Sequence, residues 1–393
     1  MKVFIITSES IPNGMAATNR ILCYAKGLKT NDVDCTILIT HRTEKYNAIK
    51  NRLSCGNIDG VKYQYIPTST IRSKYFIKRR IDDFFDSVKV FFKVLFSVGN
   101  EDKIVIYNVN YFILVSLLLL SKIIGYSIFR ELCEYPKATR NDSLYNKCLR
   151  YLEITFLFKL FSGFIAISHE LETVASMHGS NKSKIIRIPI LINRDSFLED
   201  DPSFNFEKPT IFHSGTMYER KDGIISTMKA FALASKQLNY SVDFVLAGPR
   251  SKDFDELEMI IKEQGLVNNV KYFGLLSHDD VIKCQKKAVL SILYKKDNLQ
   301  NRCGFSTKLG EILLCKTALI TTTIGEAKFY LKNNESAYII EPDDINKLAE
   351  TIVRVIINHE ERALIVQNGS NVARRYFDCE IQGARLKRFL SDD

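Results

Sequence analysis

Short apolar runs rich in β-branched residues alternate along the chain with stretches of helical periodicity. "KVFIIT" (residues 2–7) is typical of a buried strand, a helix is predicted from about Thr18, and "CTILIT" (residues 35–40) follows as the next strand. The predicted helix places four apolar residues on one face: Ile21, Leu22, Ala25 and Leu28. The same order then returns through "IVIYNVN", a leucine-rich helix, "YSIFREL", "FIAIS" and "IIRIPI".

The pattern restarts after a polar, proline-containing stretch, residues 193–209. Strand-like runs follow there: "TIFHSG", "VDFVLAG", "VKYFG", "AVLSILY" and "AYIIEP". Alternating strands and helices in both halves predict an α/β protein with two doubly wound, Rossmann-like parallel sheets. Ligands of such sheets bind at the carboxyl ends of strands, which directs attention to the loops after Thr7, Ser214, Gly248 and Tyr294.

The domain boundaries follow from this rhythm. We predict an N-terminal domain over residues 1–190, a linker over 191–208 and a C-terminal domain over 209–372, with a final helix, 373–393, packing back on the first domain. The longest uncharged run, residues 104–121, has a length near the lower limit for a transmembrane helix. Asn108 and Asn110 split this run, so it is predicted to form a buried strand and a helix.

Composition and charge narrow the function classes. The 393 residues are 46% apolar and 25% charged, and no two of the nine cysteines form a C-x-x-C pair. A disulfide framework and a zinc ribbon are therefore disfavoured, and a cytoplasmic protein without a signal peptide is expected. The net charge of +10 predicts an anionic partner: nucleic acid, anionic lipid or a phosphorylated small molecule. The usual sequence patterns of nucleic-acid-binding modules are missing, which disfavours the first of these.

Several well-known site motifs are missing from the sequence. It contains neither G-x-G-x-x-G nor a P-loop pattern, and "GFSTK" fails as a nucleophile elbow because Lys308 replaces the second glycine. Two D-x-D pairs are better explained by a polar turn and by a helix start than by a metal. No metal cofactor is predicted.

The loop "HSGTMYERKDGI" (residues 213–224) follows a strand and precedes a helix. Arg220 and Lys221 lie near the start of that helix, where free backbone N–H groups and two cations could hold a diphosphate. A solvated turn is the alternative interpretation.

A second strand-to-helix region repeats this arrangement. "CGFS" (residues 303–306) offers backbone N–H groups to an anion at a helix start, and Glu311 lies about two turns further on. An acid at that position is too late to cap the helix, so a salt bridge, solvent exposure or a polyhydroxyl ligand such as ribose must explain it. Together the two regions predict a site for a nucleotide-diphosphate sugar.

The order and spacing of several segments resemble the family 4 glycosyltransferases of the GT-B fold, in the form found in cell-surface polysaccharide enzymes. The resemblance spans nearly the whole chain and rests on these segments: "PNGMAATNRILCYAKGL", "FRELCEYP", "FIAISHELETVASMHG", "IIRIPILINRDSF", "HSGTMYERKDGI", "FVLAGP", "GFSTKLGEILLCKTALITT" and "AYIIEPDDINKLAETI". It implies two Rossmann-like domains facing each other across a cleft, with the acceptor on the N-terminal side and the donor on the C-terminal side.

The resemblance also implies roles for individual residues. Arg220 and Lys221 would bind the diphosphate and stabilise its charge during catalysis, Glu311 would bind ribose, and Gly14 would approach the donor phosphate. The full implied donor set is Gly14, Ser214, Gly215, Thr216, Arg220, Lys221, Gly248, Pro249, Cys303, Gly304, Phe305, Ser306, Thr307, Lys308 and Glu311. The chain departs from the family pattern where Cys303 replaces a glutamate and Thr216 replaces an arginine, and the first change leaves the sugar identity open.

The resemblance implies that the chain is an enzyme. The resemblance predicts a retaining glycosyltransferase that transfers a hexose-type sugar to a glycan or lipid-linked glycan in capsule, exopolysaccharide or O-antigen synthesis. A GT-B epimerase or hydrolase of sugar nucleotides, and a non-catalytic basic binding protein, are the alternatives. On the acceptor side the candidates are Glu131, Glu134, Asn19 and Arg20, and loop capping is the structural alternative for the two glutamates.

A basic segment precedes an amphipathic helix in the N-terminal half. Its five cations are Arg72, Lys74, Lys78, Arg79 and Arg80. The helix places six apolar residues on one side, Ile81, Phe84, Phe85, Val88, Phe92 and Leu95, and four charged residues on the other, Asp82, Asp86, Lys89 and Lys93. We expect the apolar side of this helix to pack against the domain, with the phenylalanines that the core does not need entering a membrane interface. The cations are expected to contact anionic lipid at the inner face of the cytoplasmic membrane.

Overall fold

The computed structural model describes residues 1–135, 144–197 and 205–391. The chain divides into two compact units, one formed by Met1–Ile192 with Cys379–Asp393 and the other by Asn193–Asp378. The predicted linker, residues 191–208, lies partly outside the described residues, and the change of unit falls within it, after Ile192. The second change of unit falls after Asp378, six residues later than the predicted boundary.

The N-terminal unit is built on an eight-stranded sheet in the order β3-β4-β2-β1-β5-β6-β7-β8. Its strands are β1 (Lys2–Thr7), β2 (Asp34–Ile39), β3 (Cys55–Ile58), β4 (Val61–Tyr65), β5 (Lys103–Tyr107), β6 (Ser127–Leu132), β7 (Gly163–Ala166) and β8 (Lys184–Arg187). Its first five helices are α1 (Ala16–Thr30), α2 (Phe76–Ser97), α3 (Tyr111–Ile124), α4 (Leu144–Thr155) and α5 (His169–His178). β3 pairs antiparallel with β4, and the other pairs are parallel.

The C-terminal unit has a six-stranded parallel sheet in the order β11-β10-β9-β12-β13-β14. Its strands are β9 (Thr210–Ser214), β10 (Asp243–Ala247), β11 (Val270–Tyr272), β12 (Leu290–Leu293), β13 (Ala318–Thr322) and β14 (Tyr338–Ile340). Its helices are α6 (Glu219–Asp222), α7 (Ile224–Gln237), α8 (Phe254–Glu263), α9 (His278–Lys287), α10 (Leu299–Cys303), α11 (Thr307–Leu314), α12 (Ile345–Ile357) and α13 (His359–Tyr376).

The last helix, α14 (Cys379–Ser391), belongs to the N-terminal unit and packs on α1. Two glycines make this contact close, because a Cβ atom added at Gly383 would lie 2.2 Å from the carbonyl carbon of Gly27. The predicted final helix began at residue 373, but residues 373–376 form the end of α13 in the C-terminal unit.

The prediction of two Rossmann-like parallel sheets is confirmed, and the run over residues 104–121 forms β5 and most of α3. None of the helices in the described residues is both long and apolar enough to cross a membrane. The prediction that the apolar side of α2 packs against its own domain is wrong. Phe84, Phe85 and Phe92 are exposed, whereas Asp86, predicted on the outer side, is buried.

Candidate functional site

The C-terminal sheet has a topological switch point between β9 and β12. From β9 the chain continues to β10 and β11 on one side, and from β12 it continues to β13 and β14 on the other. The loops after β9 and β12 therefore diverge at their carboxyl ends, where open α/β sheets bind their ligands. Gly215 follows the first strand and Lys295 follows the second.

A buried carboxylate and two lysines lie at this switch point. Asp222 Oδ1 is 2.8 Å from Lys295 Nζ and 3.4 Å from Lys308 Nζ. Burial acts to raise the pKa of Asp222, but the two ammonium groups outweigh it and hold the pKa well below its usual range. Burial lowers the pKa of Lys295 to about 8, although Asp222 opposes this shift. Two cations and one carboxylate leave this cluster with a net positive charge.

His213 lies beside the same cluster. Its ring is buried, and burial together with the charge of Lys308 lowers its pKa to about 3, so the imidazole is neutral at physiological pH. Among the described residues, neither His213 Nε2 nor Asp222 Oδ2 has a hydrogen-bond partner. Buried polar atoms are normally satisfied, so these two atoms are exceptions that lie beside the two cations.

Two glycines, Gly215 and Gly248, allow two backbone segments and the side chain of Lys308 to lie close together. Gly215 and Gly248 have φ angles of +135° and +138°. A Cβ atom at Gly248 would lie 2.1 Å from the carbonyl oxygen of Gly215, and one at Gly215 would lie 2.5 Å from Lys308 Nζ. Neither position accepts a side chain without displacement of its neighbour. Pro249, which follows Gly248, is exposed.

Arg220 and Lys221 lie on the short helix α6, and their side chains are exposed. Their backbone is fixed from the other side of the switch point. Asn298 and Asn301 donate to the carbonyl oxygen of Arg220 at 2.9 and 3.2 Å, and Lys295 donates to that of Lys221 at 3.0 Å. The two predicted diphosphate ligands are therefore exposed cations on a fixed backbone.

The predicted anion site at the start of α7 is wrong in one respect. We expected free backbone N–H groups there, but Glu219 accepts from the N–H groups of Ile225 and Ser226 at 2.6 and 3.2 Å. Its other oxygen forms an ion pair with Lys296 at 2.7 Å. These two N–H groups at the start of α7 are satisfied by a protein carboxylate, so they are not free to bind an anion.

The start of α11 differs from the start of α7. The helix begins at Thr307, and the side chain of Ser306 makes no capping hydrogen bond. Ser306, Thr307 and Gly304 are partly exposed, which leaves this helix start accessible to an anion. Cys303 and Phe305 are buried instead, and the Phe305 ring stacks on Tyr330 with 5.5 Å between centroids. The side chains of Cys303 and Phe305 therefore support the loop before α11 from its buried side.

Glu311 lies one turn after Lys308 on α11. Its side chain is partly buried, and no hydrogen bond or ion pair to its carboxylate occurs within residues 1–135, 144–197 and 205–391. Burial raises its pKa, while His278 and Lys308 act to lower it. The salt-bridge explanation considered for this acid is thereby disfavoured, and the predicted contact with a hydroxyl-bearing ligand stays a prediction.

On the N-terminal side, Arg20 and Glu131 are both buried and pair with each other at 2.8 Å. Tyr24 and Cys133 donate to the same carboxylate at 2.9 and 3.0 Å. These contacts satisfy the Glu131 carboxylate within the protein. The structure therefore argues against the predicted contact of Glu131 with an acceptor, and against the predicted contact of Arg20 for the same reason.

The other N-terminal candidates are accessible. Asn19, Glu134 and Gly14 are exposed. Gly14 lies in the loop after β1, where a Cβ atom would lie 1.8 Å from Thr18 Oγ1. A larger residue could not take this backbone position without moving Thr18, and the loop surface beside Gly14 stays open.

Sequence reasoning missed Asp222 and Lys295 as site residues. The loop after Tyr294, which contains Lys295, was expected to contact a ligand. However, the sequence does not show which residue pairs with a lysine that follows a strand. Asp222 lies 73 positions away in the chain and meets Lys295 only because β9 and β12 are neighbours.

Three solved structures show the fold to which this chain is similar. The sucrose-phosphate synthase of Thermosynechococcus elongatus has 13% identity and a TM-score of 0.71, with 99% of each chain covered. HepE of Anabaena, in complex with UDP and glucose, has 18% identity and a TM-score of 0.70, with 100% of each chain covered. An E. coli trehalose-6-phosphate structure bound with UDP-2-fluoro glucose has 11% identity and a TM-score of 0.71, covering 100% of this chain and 99% of that one. The GT-B fold is confirmed.

A family comparison adds the enzyme class. No curated protein is similar enough to the chain to count as a match. Residues 196–372, which make up most of the C-terminal unit, match the family of glycosyl transferases group 1. The prediction that this chain is a glycosyltransferase is thereby confirmed at the level of the enzyme class.

Proposed function

We propose that the chain transfers a hexose-type sugar, with retention of configuration, from a nucleotide-diphosphate sugar to a glycan or lipid-linked glycan. The proposed setting is cell-surface polysaccharide synthesis (capsule, exopolysaccharide or O-antigen) at the inner face of the cytoplasmic membrane. The observation that carries the donor assignment is the Asp222–Lys295–Lys308 cluster at the switch point of the C-terminal sheet. It presents net positive charge where a parallel sheet binds ligands.

The diphosphate is the part of the donor that this cluster suits. When the bond to the sugar breaks, negative charge develops on the leaving phosphate, and cations already in place stabilise it. Lys308 and Lys295 supply two such cations from inside, and Arg220 and Lys221 supply two more from the exposed turn of α6. We propose that these four cations act without a metal cofactor.

We propose that the nucleoside of the donor binds beside α11. The Glu311 carboxylate is partly buried and accepts no hydrogen bond from the part of the chain that the structure describes, and vicinal hydroxyls of ribose would supply such bonds. HepE in complex with UDP and glucose, and the E. coli structure bound with UDP-2-fluoro glucose, support a uridine-type donor as the first candidate.

Donor binding is tested by a thermal-shift screen of UDP- and GDP-sugars on the full chain. A ligand at 100 times its Kd should stabilise the fold by about 2.7 kcal/mol. Lys221→Ala should weaken this shift and lower turnover at least tenfold, whereas Lys229→Ala, an exposed lysine on α7, should behave as wild type. If no nucleotide sugar stabilises the folded chain, the donor assignment fails.

The acceptor is tested separately, because a sugar-nucleotide epimerase or hydrolase would use the same donor site. Release of nucleoside diphosphate should depend on an added glycan acceptor, and NMR of the product should show the anomeric configuration of the donor. Turnover at the same rate without any acceptor would favour the epimerase or hydrolase over the transferase.

A further inference from the structure

The apolar side of α2 points away from its own unit. Eight apolar residues form one stripe along this helix, and each is exposed or only half-buried: Ile77, Ile81, Phe84, Phe85, Val88, Phe92, Leu95 and Phe96. The buried residues of α2 are Asp86, Ser87, Val90 and Val94. At 3.6 residues per turn these two sets lie on roughly opposite sides of the helix. An amphipathic helix normally presents its apolar side to the core, and α2 does the reverse.

Polar contacts hold α2 in this orientation. Arg42, in the loop after β2, pairs with Asp82 at 2.5 Å and with Asp86 at 3.4 Å. Asn110 donates to Ser87 Oγ at 3.2 Å. Because ion pairs and hydrogen bonds attach the inner side of the helix to the unit, the outward direction of the phenylalanines is fixed by specific contacts.

The neighbouring helix α3 extends the apolar surface. Its exposed apolar residues recur at helical spacing on one side: Phe112, Val115, Leu119 and Ile123. The rings of Phe84 and Phe112 join the two helices, with 6.3 Å between centroids. An exposed apolar surface that continues over two helices is rare in a protein without a partner for it. We call this surface, the stripe on α2 with the four α3 residues, the α2–α3 face.

Basic residues border the α2–α3 face. Arg72, Lys74 and Lys78 are exposed just before and within the start of α2, and Arg79 and Arg80 lie over the ring of Phe76 at 5.8 and 5.1 Å. Each of the three acids of α2 pairs with an arginine. Arg42 forms ion pairs with Asp82 and Asp86, and Arg80 lies 4.0 Å from Asp83. The charge left at this border is therefore positive.

We propose that the α2–α3 face docks on an anionic lipid bilayer. The phenylalanines and aliphatic side chains would enter the boundary between headgroups and acyl chains, and the bordering cations would pair with lipid phosphates. Phenylalanine has no hydrogen-bonding group that needs a protein partner, and the positive border complements a negative lipid surface. This inference deepens the proposed function only by placing a lipid-linked acceptor at the membrane, and docking itself does not depend on the donor.

The sequence contains no tryptophan, which allows a direct test. Phe92→Trp places a single fluorescent reporter within the stripe on α2, and Leu275→Trp places one at an exposed position of the C-terminal unit. With vesicles of phosphatidylcholine and phosphatidylglycerol, the Phe92→Trp emission should shift to the blue and be quenched by brominated acyl chains. The Leu275→Trp emission should change in neither respect. Unchanged Phe92→Trp emission on saturating anionic vesicles would overturn the proposal.

Flotation with vesicles separates the two contributions. Replacing Lys78, Arg79 and Arg80 with glutamine should abolish the preference for anionic over neutral vesicles. The triple change Phe85→Ser, Phe92→Ser and Phe96→Ser should lower binding at least tenfold. Val267→Ser and Leu275→Ser, at exposed apolar positions elsewhere, should leave it unchanged.

Two further measurements make the outcome decisive. The α2 variants should keep the donor-induced thermal shift and the turnover of a soluble acceptor analogue, so failure of docking is distinguishable from failure of the proposed function. If the chain sediments as a dimer and the phenylalanine variants convert it to a monomer, the face is a protein interface and the proposal is overturned.

Discussion

At the scale of single residues, the role of Glu311 can be tested by comparing ligand affinity with protein stability, because its carboxylate is partly buried. Burial raises the pKa of its partly buried carboxylate, while the charges of His278 and Lys308 act to lower it. Among the described residues, this carboxylate has no hydrogen-bond or ion-pair partner. A structural acid would be expected to have such a partner. We therefore expect Glu311 to act in ligand binding, and this expectation can be tested by mutation.

Glu311→Gln is expected to weaken binding of the donor nucleotide at least tenfold, because one of the two acceptor oxygens becomes a donor. The melting temperature of the free protein should stay equal or rise, since a neutral amide is easier to bury than a carboxylate. Calorimetric titration and thermal unfolding measure the two effects, with Glu256→Gln, an exposed acid on α8, as the control. Unchanged affinity with a lower melting temperature would mean that Glu311 is structural.

Lys295 should give donor binding a pH dependence. Its pKa is lowered to about 8, mainly by burial, against about 10.4 for an unfolded lysine. The folded state thus releases this proton more readily than the unfolded state, and stability should rise as pH increases from about 8 to about 10. A diphosphate prefers the charged ammonium, so donor affinity should fall about tenfold between pH 7 and pH 9.

Calorimetry at several pH values, with wild type and Lys295→Met, measures this effect. The variant should bind the donor more weakly at pH 7 and should lose the decline that belongs to Lys295, while any titration of the nucleotide itself remains in both proteins. Parallel pH profiles for the two proteins would remove Lys295 from the donor site.

Single residues of the site were only partly predictable from the sequence. Arg220, Lys221 and Glu311 follow from charge near predicted strand ends and from the resemblance. The Asp222–Lys295 pair requires knowledge that β9 and β12 are neighbours. Glu131 shows the opposite error, because a carboxylate at a strand end can be satisfied internally by a partner 111 positions away, here Arg20.

At the scale of elements, the strand ends of the C-terminal sheet depend on glycine. Gly248→Ala should lower the free energy of unfolding by about 3 kcal/mol or more. A Cβ atom there would lie 2.1 Å from the backbone oxygen of Gly215, and φ is +138°. Gly265 is the matched control, because its φ is also positive at +69° but no atom lies within 4 Å of an added Cβ.

Urea unfolding of the two variants separates conformational strain from the clash. Gly265→Ala should cost only about 1–2 kcal/mol, the ordinary cost of a left-handed backbone with a side chain. Equal losses at both positions would show that the close approach of Gly248 to Gly215 contributes nothing to stability.

Periodicity predicted the buried strands well and failed at α2. The central strands β5, β7, β10, β12 and β13 are short runs in which every residue is buried, as their apolar sequences predict. The phenylalanine stripe of α2 was assigned to the core, because periodicity reports that one side of a helix is apolar and cannot report what covers it. The antiparallel β3–β4 hairpin was not predicted either, because "CGNI" and "VKYQY" lack a continuous apolar run.

At the scale of the whole molecule, the chain closes its N-terminal unit with its last helix. Leu386 and Leu390 of α14 are buried in the same apolar cluster as Leu28 of α1. Asn31 donates to the carbonyl oxygen of Glu380 at 3.1 Å, and Lys387 donates to that of Asn31 at 2.7 Å. The N-terminal unit is therefore incomplete until the C-terminal unit has been synthesised.

The contact between Gly27 and Gly383 allows this closure to be tested. Gly383→Leu should force α14 away from α1, because even a Cβ atom at Gly383 would lie 2.2 Å from the carbonyl carbon of Gly27. Hydrogen exchange followed by mass spectrometry should show at least tenfold faster exchange in β1, β2 and α1, since a loss of about 1.4 kcal/mol changes an opening equilibrium tenfold. The strands β9, β10 and β12 should exchange as in wild type, and the donor-induced thermal shift should persist, because the switch-point cluster lies within the other unit. Equal acceleration in both units would show that α14 stabilises the whole chain as one cooperative block, and the expected restriction of the effect to the N-terminal unit would then be wrong.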